Sequence, residues 1–336
     1  MVKFKRWIIV KHFEGEPKKS DLKLVEEELP PIQDGEFMTQ AEYLSVDPYM
    51  RAFIKNFPLG ITMIGAQIAK ITESKNRDYP VGKRVVGFMG WRTHSVINLN
   101  KVNELLPVQE KPYILQAFHD LPISLSLGVL GLIGSTAYFG LLEICTPKKG
   151  ETLVVSGAAG AVGSHVGQIG KNLGLKVIGI AGTDQKCNWL TKELGFDCAI
   201  NYKTQNVYSE LTKAAPAGVD CYFDNVGGDI SSTVIEQMNP YGRVAVCGSI
   251  SSYNAKEMPK CSVLQPAIVF KQLKMEGFIG TRWSNRLSEG IEKNYRMVCD
   301  GKLKYRETVT EGFDKMFEAF AGMMRGENIG KAIVKV

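Results

Sequence analysis

From residue 152 onward the chain alternates short apolar runs with longer amphipathic stretches. TLVVS (152–156) is followed by a stretch of helical spacing over about 161–173. LKVIGIA reads as the next strand and TDQKCNWLTKELG as the next helix. Cys198-Ala199-Ile200 is a short strand before a helix near 206–214, and VDCYFDNV and GRVAVCGSI complete five strands. Strands alternating with helices predict an α/β fold with a parallel, doubly wound sheet. Right-handed crossovers place the strand C-terminal ends on one edge, where ligands bind in such sheets.

Before residue 121 the texture differs. FMTQAEYLSV, GAQIAKITES and GKRVVGFMGWRTHSVIN alternate in the manner of short strands, broken by Pro30-Pro31, Pro58 and Tyr79-Pro80. This predicts a small β-barrel-like domain. Residues 121–145, rich in Leu, Gly, Ala and Ile, read as buried helices. After about 300 come a helix over 313–325 and a last strand over 331–336. No internal repeat or low-complexity segment interrupts the chain.

The length of 336 residues suits two domains, and 44 % hydrophobic with 23 % charged residues suits a globular protein. The net charge of +6 comes without a basic run interleaved with aromatics, so no nucleic-acid partner is expected. A small anionic ligand is the expected use for some of the surplus. No apolar run reaches the ~18 residues of a membrane span, and neither end carries a targeting or lipidation signal. The cysteines (145, 187, 198, 221, 247, 261, 299) are scattered and odd in number. Reduced thiols in a cytoplasmic protein are the expectation. The histidines at 12, 94, 119 and 165 form no ligand spacing, and the four closely spaced cysteines of a structural zinc site are missing.

SGAAGAVGSHVGQIG (156–170) joins the first predicted strand to its helix. Its glycines at 157, 160 and 163 depart from G-x-G-x-x-G, with Ala158 at the second glycine's place. On spacing alone this is either a phosphate cradle at a helix N-terminus or a flexible turn. Its place at the head of a five-unit βα run favours dinucleotide binding. An NAD site usually has an acid closing the second strand. Here Ile180-Ala181-Gly182-Thr183 closes it, Asp184 comes late, and Lys186 follows. Lys186 is either a partner for a 2′-phosphate, which makes the cofactor NADP(H), or a solvated lysine.

VDPYMR (46–51), SGAAGAVGS (156–164), FDNVGG (223–228), CGSISSYN (247–254) and GENIGK (326–331) together resemble the zinc-free medium-chain dehydrogenase/reductases. The resemblance implies a GroES-like β-barrel catalytic domain (1–120 with 301–336) and a Rossmann NADPH-binding domain (121–300). It also implies a monomer or a homodimer paired through the Rossmann sheet edge. Gly160, Ala161, Val162 and Gly163 would cradle the pyrophosphate, and Lys186 with Tyr202 would hold the 2′-phosphate. Further cofactor positions are Asn225, then Cys247, Gly248, Ser249, Ile250, Ser251, Ser252 and Tyr253, then Phe278, Ile279 and Gly280, and Asn328. Zinc-dependent relatives carry Gly-His-Glu where this chain has Thr62-Met63-Ile64, so no metal is expected.

Reducing an isolated carbonyl puts full negative charge on one oxygen, where a metal helps. Reducing a carbon–carbon double bond conjugated to a carbonyl spreads that charge over an enolate, and one or two hydrogen-bond donors suffice. Tyr253 and Tyr49 are the candidate donors, each alternatively a half-buried aromatic with a satisfied hydroxyl. Arg51 either pairs with Asp47 or reaches an acidic substrate tail. Phe278 and Trp283 suit an apolar substrate, although Trp283 also suits the core. The resemblance points to lipid-derived enones and enals such as 15-oxo-prostaglandins and 4-hydroxyalkenals. A quinone reductase of the same superfamily, and a non-catalytic NADPH-binding protein like some lens crystallins, are the rival readings.

Overall fold

The computed structural model describes residues 2–100, 111–116, 118, 120–257, 259–260 and 262–336. His119 and Cys261 lie outside them. The chain divides into two units. The first holds Met1–Leu127, Glu307–Asn328 and Ala332–Val336, and the second holds Gly128–Arg306 with Ile329–Lys331.

In the first unit, strands Val2–Ile9 and Leu22–Leu29 form an antiparallel pair. Among the described residues, a seven-stranded sheet is built around Phe37–Ser45 and Gln67–Ser74, which pair antiparallel. Lys331–Lys335 returns from the far end of the chain to pair with Phe37–Ser45. The core over this sheet gathers Trp7, Met50, Met63, Trp91 and Phe320.

The second unit is a six-stranded parallel sheet. Its strands are β1 (Thr152–Ser156), β2 (Lys176–Ala181), β3 (Cys198–Asn201), β4 (Val219–Asp224), β5 (Met238–Val246) and β6 (Lys274–Gly277). They lie in the order β3-β2-β1-β4-β5-β6. The order reverses between β1 and β4, the switch point where Rossmann sheets place their ligands. Helices α1 (Ala161–Asn172), α2 (Asp184–Asn188), α3 (Val207–Ala214) and α4 (Gly228–Glu236) cover the sheet, with the short α5 (Ile250–Tyr253) after β5. All five residues of β1 are buried, as a strand covered on both faces requires.

One expectation needs correction. The sheet has six strands where the pattern predicts five. The missed strand, KMEG, lies at the sheet edge with no fully buried residue, so its sequence shows no apolar run. The helix expected over TDQKCNWLTKELG forms as α2 and continues as a π-helical turn at Trp189–Glu193, where Trp189 and Leu190 enter the core.

Helix α1 lies close on the sheet because one face of it is glycine. A Cβ at Gly163 would stand 2.5 Å from the Gly157 carbonyl oxygen, one at Gly170 2.7 Å from Leu153, and one at Gly167 1.9 Å from the Phe196 ring. Among the described residues no helix is long and apolar enough to cross a membrane. Gly167→Ala should therefore destabilise the protein by about 1–3 kcal/mol through overpacking. Thermal unfolding checks this, and Phe196→Leu in the same chain should recover part of the loss.

Candidate functional site

At the switch point the ends of β1 and β4 are tied by one buried carboxylate. Asp224 Oδ1 accepts four hydrogen bonds: from the Ser156 hydroxyl (2.9 Å), the Tyr222 hydroxyl (2.8 Å), and the Val226 and Gly227 N–H groups (2.9 Å each). Its backbone carbonyl accepts from Cys247 and Gly248, which joins the loop after β5 to the same point. The Asn225 side chain donates to the Ser156 carbonyl at 2.8 Å, and its own carbonyl accepts from the Ile250 N–H. Gly227 has φ of 70°, and a Cβ there would stand 2.4 Å from the Ser249 hydroxyl.

The glycine loop explains its own spacing. Gly157 adopts φ of 59°. Ala158 is wholly buried, and a Cβ on Gly179 of β2 would lie 3.0 Å from its methyl. The methyl therefore faces the sheet, where a second glycine is not needed. Gly160 caps α1 without any side-chain hydrogen bond, so the first-turn N–H groups of Ala161, Val162 and Gly163 are left for an anion. The Gly330 N–H donates to the Ala159 carbonyl at 2.8 Å, and Gly330 bridges Gly160. Asn328, half-buried, ends the first unit's segment just before this contact.

Beyond β2 the surroundings are cationic. Thr183 caps α2, accepting from the Lys186 N–H at 3.2 Å. Asp184 accepts from the Asn201 side chain at 2.7 Å, which engages the late acid. Burial, and then the neighbouring Lys203 charge, lower the Lys186 pKa. The Tyr202 ring lies over Gly182, whose Cβ would come within 3.0 Å of the phenol oxygen. Lys203 is the residue that motif reasoning missed, although it follows Tyr202 directly.

At the C-terminal ends of β5 and β6 lies an open groove of about 640 Å³ lined by Val246–Ser249 and by Gly277, Phe278, Ile279, Thr281 and Arg282. It brings Cys247, Gly248, Ser249, Phe278 and Ile279 together. Gly280 is held close to Thr136, whose hydroxyl a Cβ would meet at 2.2 Å. Burial, then Asp224, push the Cys247 thiol up to about 12. Ser251 and Ser252 turn their hydroxyls to the Val226 and Ser249 carbonyls at 2.6 and 2.7 Å. The Tyr253 hydroxyl accepts the Ser249 N–H at 3.2 Å, which leaves its proton to donate. Burial chiefly holds this phenol above its usual value, against the lowering effect of the Ser249 N–H. Trp283 is buried, stacks on Phe139 at 5.6 Å and donates to Glu143 at 2.6 Å.

In the first unit, Tyr49 places a buried hydroxyl with no hydrogen bond of ordinary geometry to any described residue. Burial and the Asp47 charge raise its pKa well above the usual value, while the Ala66 N–H opposes them. Arg51 is buried and donates to the Phe13 and Gly15 carbonyls at 3.3 and 3.0 Å. Met63 and Ile64 are core residues. Among the described residues no group of three His, Cys, Asp or Glu could hold a metal ion. His165 is buried within α1, and burial lowers its pKa to about 4.

The strand order and the glycine loop define a Rossmann-type dinucleotide-binding unit. Residues 5–105 match the family described as the N-terminal domain of oxidoreductase, and residues 161–294 match the one described as zinc-binding dehydrogenase. The chain is 49 % identical to prostaglandin reductase 1 of Bos taurus over 337 residues, covering 100 % of both. It is 36 % identical to the 2-alkenal reductase (NADP(+)-dependent) of Nicotiana tabacum, covering 99 % of this chain and 97 % of the other. The crystal structure of CurA in complex with NADPH from Vibrio vulnificus superposes with a TM-score of 0.91 at 34 % identity, covering 99 % of each chain. The chain belongs to the zinc-free medium-chain dehydrogenase/reductases.

Asp224→Ala should lower the unfolding free energy by more than about 3 kcal/mol, because each buried donor left unpaired costs about 1–3 kcal/mol. Asp224→Asn, which keeps an oxygen in place, should cost less. Denaturant unfolding compares the two, and equal losses would show that the acceptor oxygen is not what matters.

Proposed function

We propose that the protein reduces the α,β carbon–carbon double bond of enones and enals with NADPH, taking lipid-derived substrates such as 15-oxo-prostaglandins and 4-hydroxyalkenals. The full-length 49 % identity to prostaglandin reductase 1 carries this reading. The tyrosine donor and the cationic end of β2 support it. In this reading the first unit is catalytic and the second binds the cofactor, and the protein acts in the cytoplasm as a monomer or homodimer.

The residues fit NADPH. Gly160, Ala161, Val162 and Gly163 would hold the pyrophosphate on the uncapped start of α1. Lys186, Tyr202 and Lys203 would hold the 2′-phosphate, whose charge would relieve the repulsion between the two lysines. Asn225, the 247–253 loop, Phe278, Ile279, Gly280 and Asn328 would line the rest of the site. When bound, NADPH supplies the hydride that the substrate's β-carbon receives. Tyr253 holds its proton for the carbonyl oxygen on which negative charge grows. A phenol carries its proton at neutral pH, burial favours that neutral form further, and the Ser249 N–H orients the hydroxyl. Tyr49, with its buried hydroxyl, is the second donor in this reading. NADPH consumption with an alkenone, an alkenal and a simple quinone tests the proposal. Turnover of the quinone alone would overturn it.

Lys186→Ala should raise the KM for NADPH far more than that for NADH. Equal effects would remove Lys186 from the 2′-phosphate. Tyr253→Phe should lower kcat roughly 5–50-fold, less than the 10²–10³ of a sole oxyanion donor, because other hydroxyls share the charge. NADPH affinity should hardly change. An unchanged kcat where hydride transfer is rate-limiting would make the tyrosine a wall of the site.

A further inference from the structure

A second group of donors gathers in the first unit. Arg6, on the strand Val2–Ile9, bridges Arg92, and Ile8 bridges Thr62. Both guanidinium groups reach the Thr62 hydroxyl oxygen, Arg6 Nη1 at 3.2 Å and Arg92 Nη2 at 2.7 Å. A hydroxyl has two acceptor lone pairs and one proton. With both lone pairs engaged, the Thr62 proton is left for an acceptor. The nearby carboxylate, Glu27, is forked onto Arg6 at 2.9 Å from Nε and 2.7 Å from Nη2. The Arg92 Nε–H is buried and has no acceptor among the described residues. Burial, then the Arg6 charge, lower the Arg92 pKa to about 10. The cluster is thus rich in donors and carries one cation more than its anions. A buried charge without a partner is costly, yet Arg6 and Arg92 keep partial exposure through which an ion can enter.

We propose that Arg92, Arg6 and Thr62 form a binding site for a small oxyanion, a carboxylate or a phosphate group. The planar fork of a guanidinium matches either one. The group has two possible sources: a free ion, or the carboxylate tail of an acidic substrate. The first stands apart from the reductase reading and the second rests on it.

The test uses the full chain. Thermal unfolding is followed while sodium phosphate or sodium acetate replaces sodium chloride at constant ionic strength. A free-ion site predicts a saturable rise of roughly 2–4 °C in the wild type, lost in Arg92→Gln, reduced in Thr62→Val and kept in part by Arg92→Lys. Arg296→Gln, on an exposed helix face, should respond as the wild type does. If Arg92→Gln does not fold, Thr62→Val and Arg92→Lys carry the comparison. The second arm measures kcat/KM for an enone with and without a terminal carboxylate. A tail site predicts that Arg92→Gln raises the KM of the carboxylated enone alone, by roughly tenfold. Loss of the unfolding response, or that selective KM change, supports the site and identifies its source. A wild-type midpoint indifferent to anion identity, or a shift unchanged in the variants, overturns the proposal unless the KM change is found. With neither effect the proposal fails.

Discussion

The ligand edge of the second unit depends on how one buried carboxylate is satisfied. Asp224 ends β4 at the point where strand order reverses, and its Oδ1 collects donors from β1, from its own strand and from the turn that follows. A charge removed from water is tolerated only with such a set of partners. The same residue's carbonyl receives the loop after β5. The groove lining, the Tyr253 loop and the FDNVGG turn thus take their positions from one residue that need not touch any ligand.

Close backbone approach works beside this carboxylate. The glycines of α1 bring the helix down onto the sheet, and Gly227 lets its turn pass the Ser249 hydroxyl. The departure from the usual glycine spacing follows from the same packing. Ala158 turns its methyl to β2, so the loop keeps glycine only where the backbone bends or the helix must settle.

The alternation of strands and helices was legible because strands covered on both faces are apolar throughout. The edge strand β6 was not, since half-exposed residues such as Lys274 and Glu276 show no such run. Of the candidate site, Gly160–Gly163, Lys186 and the 247–253 loop could be read from motifs. Asp224 was visible inside FDNVGG, but its role was not, because Ser156 comes to it from 68 positions away. Lys203 acquires meaning only when folding sets it beside Lys186. The Arg6, Thr62 and Arg92 cluster is equally invisible, as its members come from three separate strands and loops.

The contact between Gly330 and the glycine loop has a consequence for modularity. The three residues Ile329–Lys331 that belong to the second unit are the direct lead into a strand of the first unit's sheet. Any uninterrupted stretch of chain that contains the whole second unit therefore also carries the first unit's 307–328 segment. Excision at 128 and 306 would strip the Ala159 carbonyl of its partner. Recombination between relatives that exchanged the Rossmann segment alone would join a glycine loop to a tail shaped for another. The glycine loop and the 329–331 segment thus have to match each other in any such exchange.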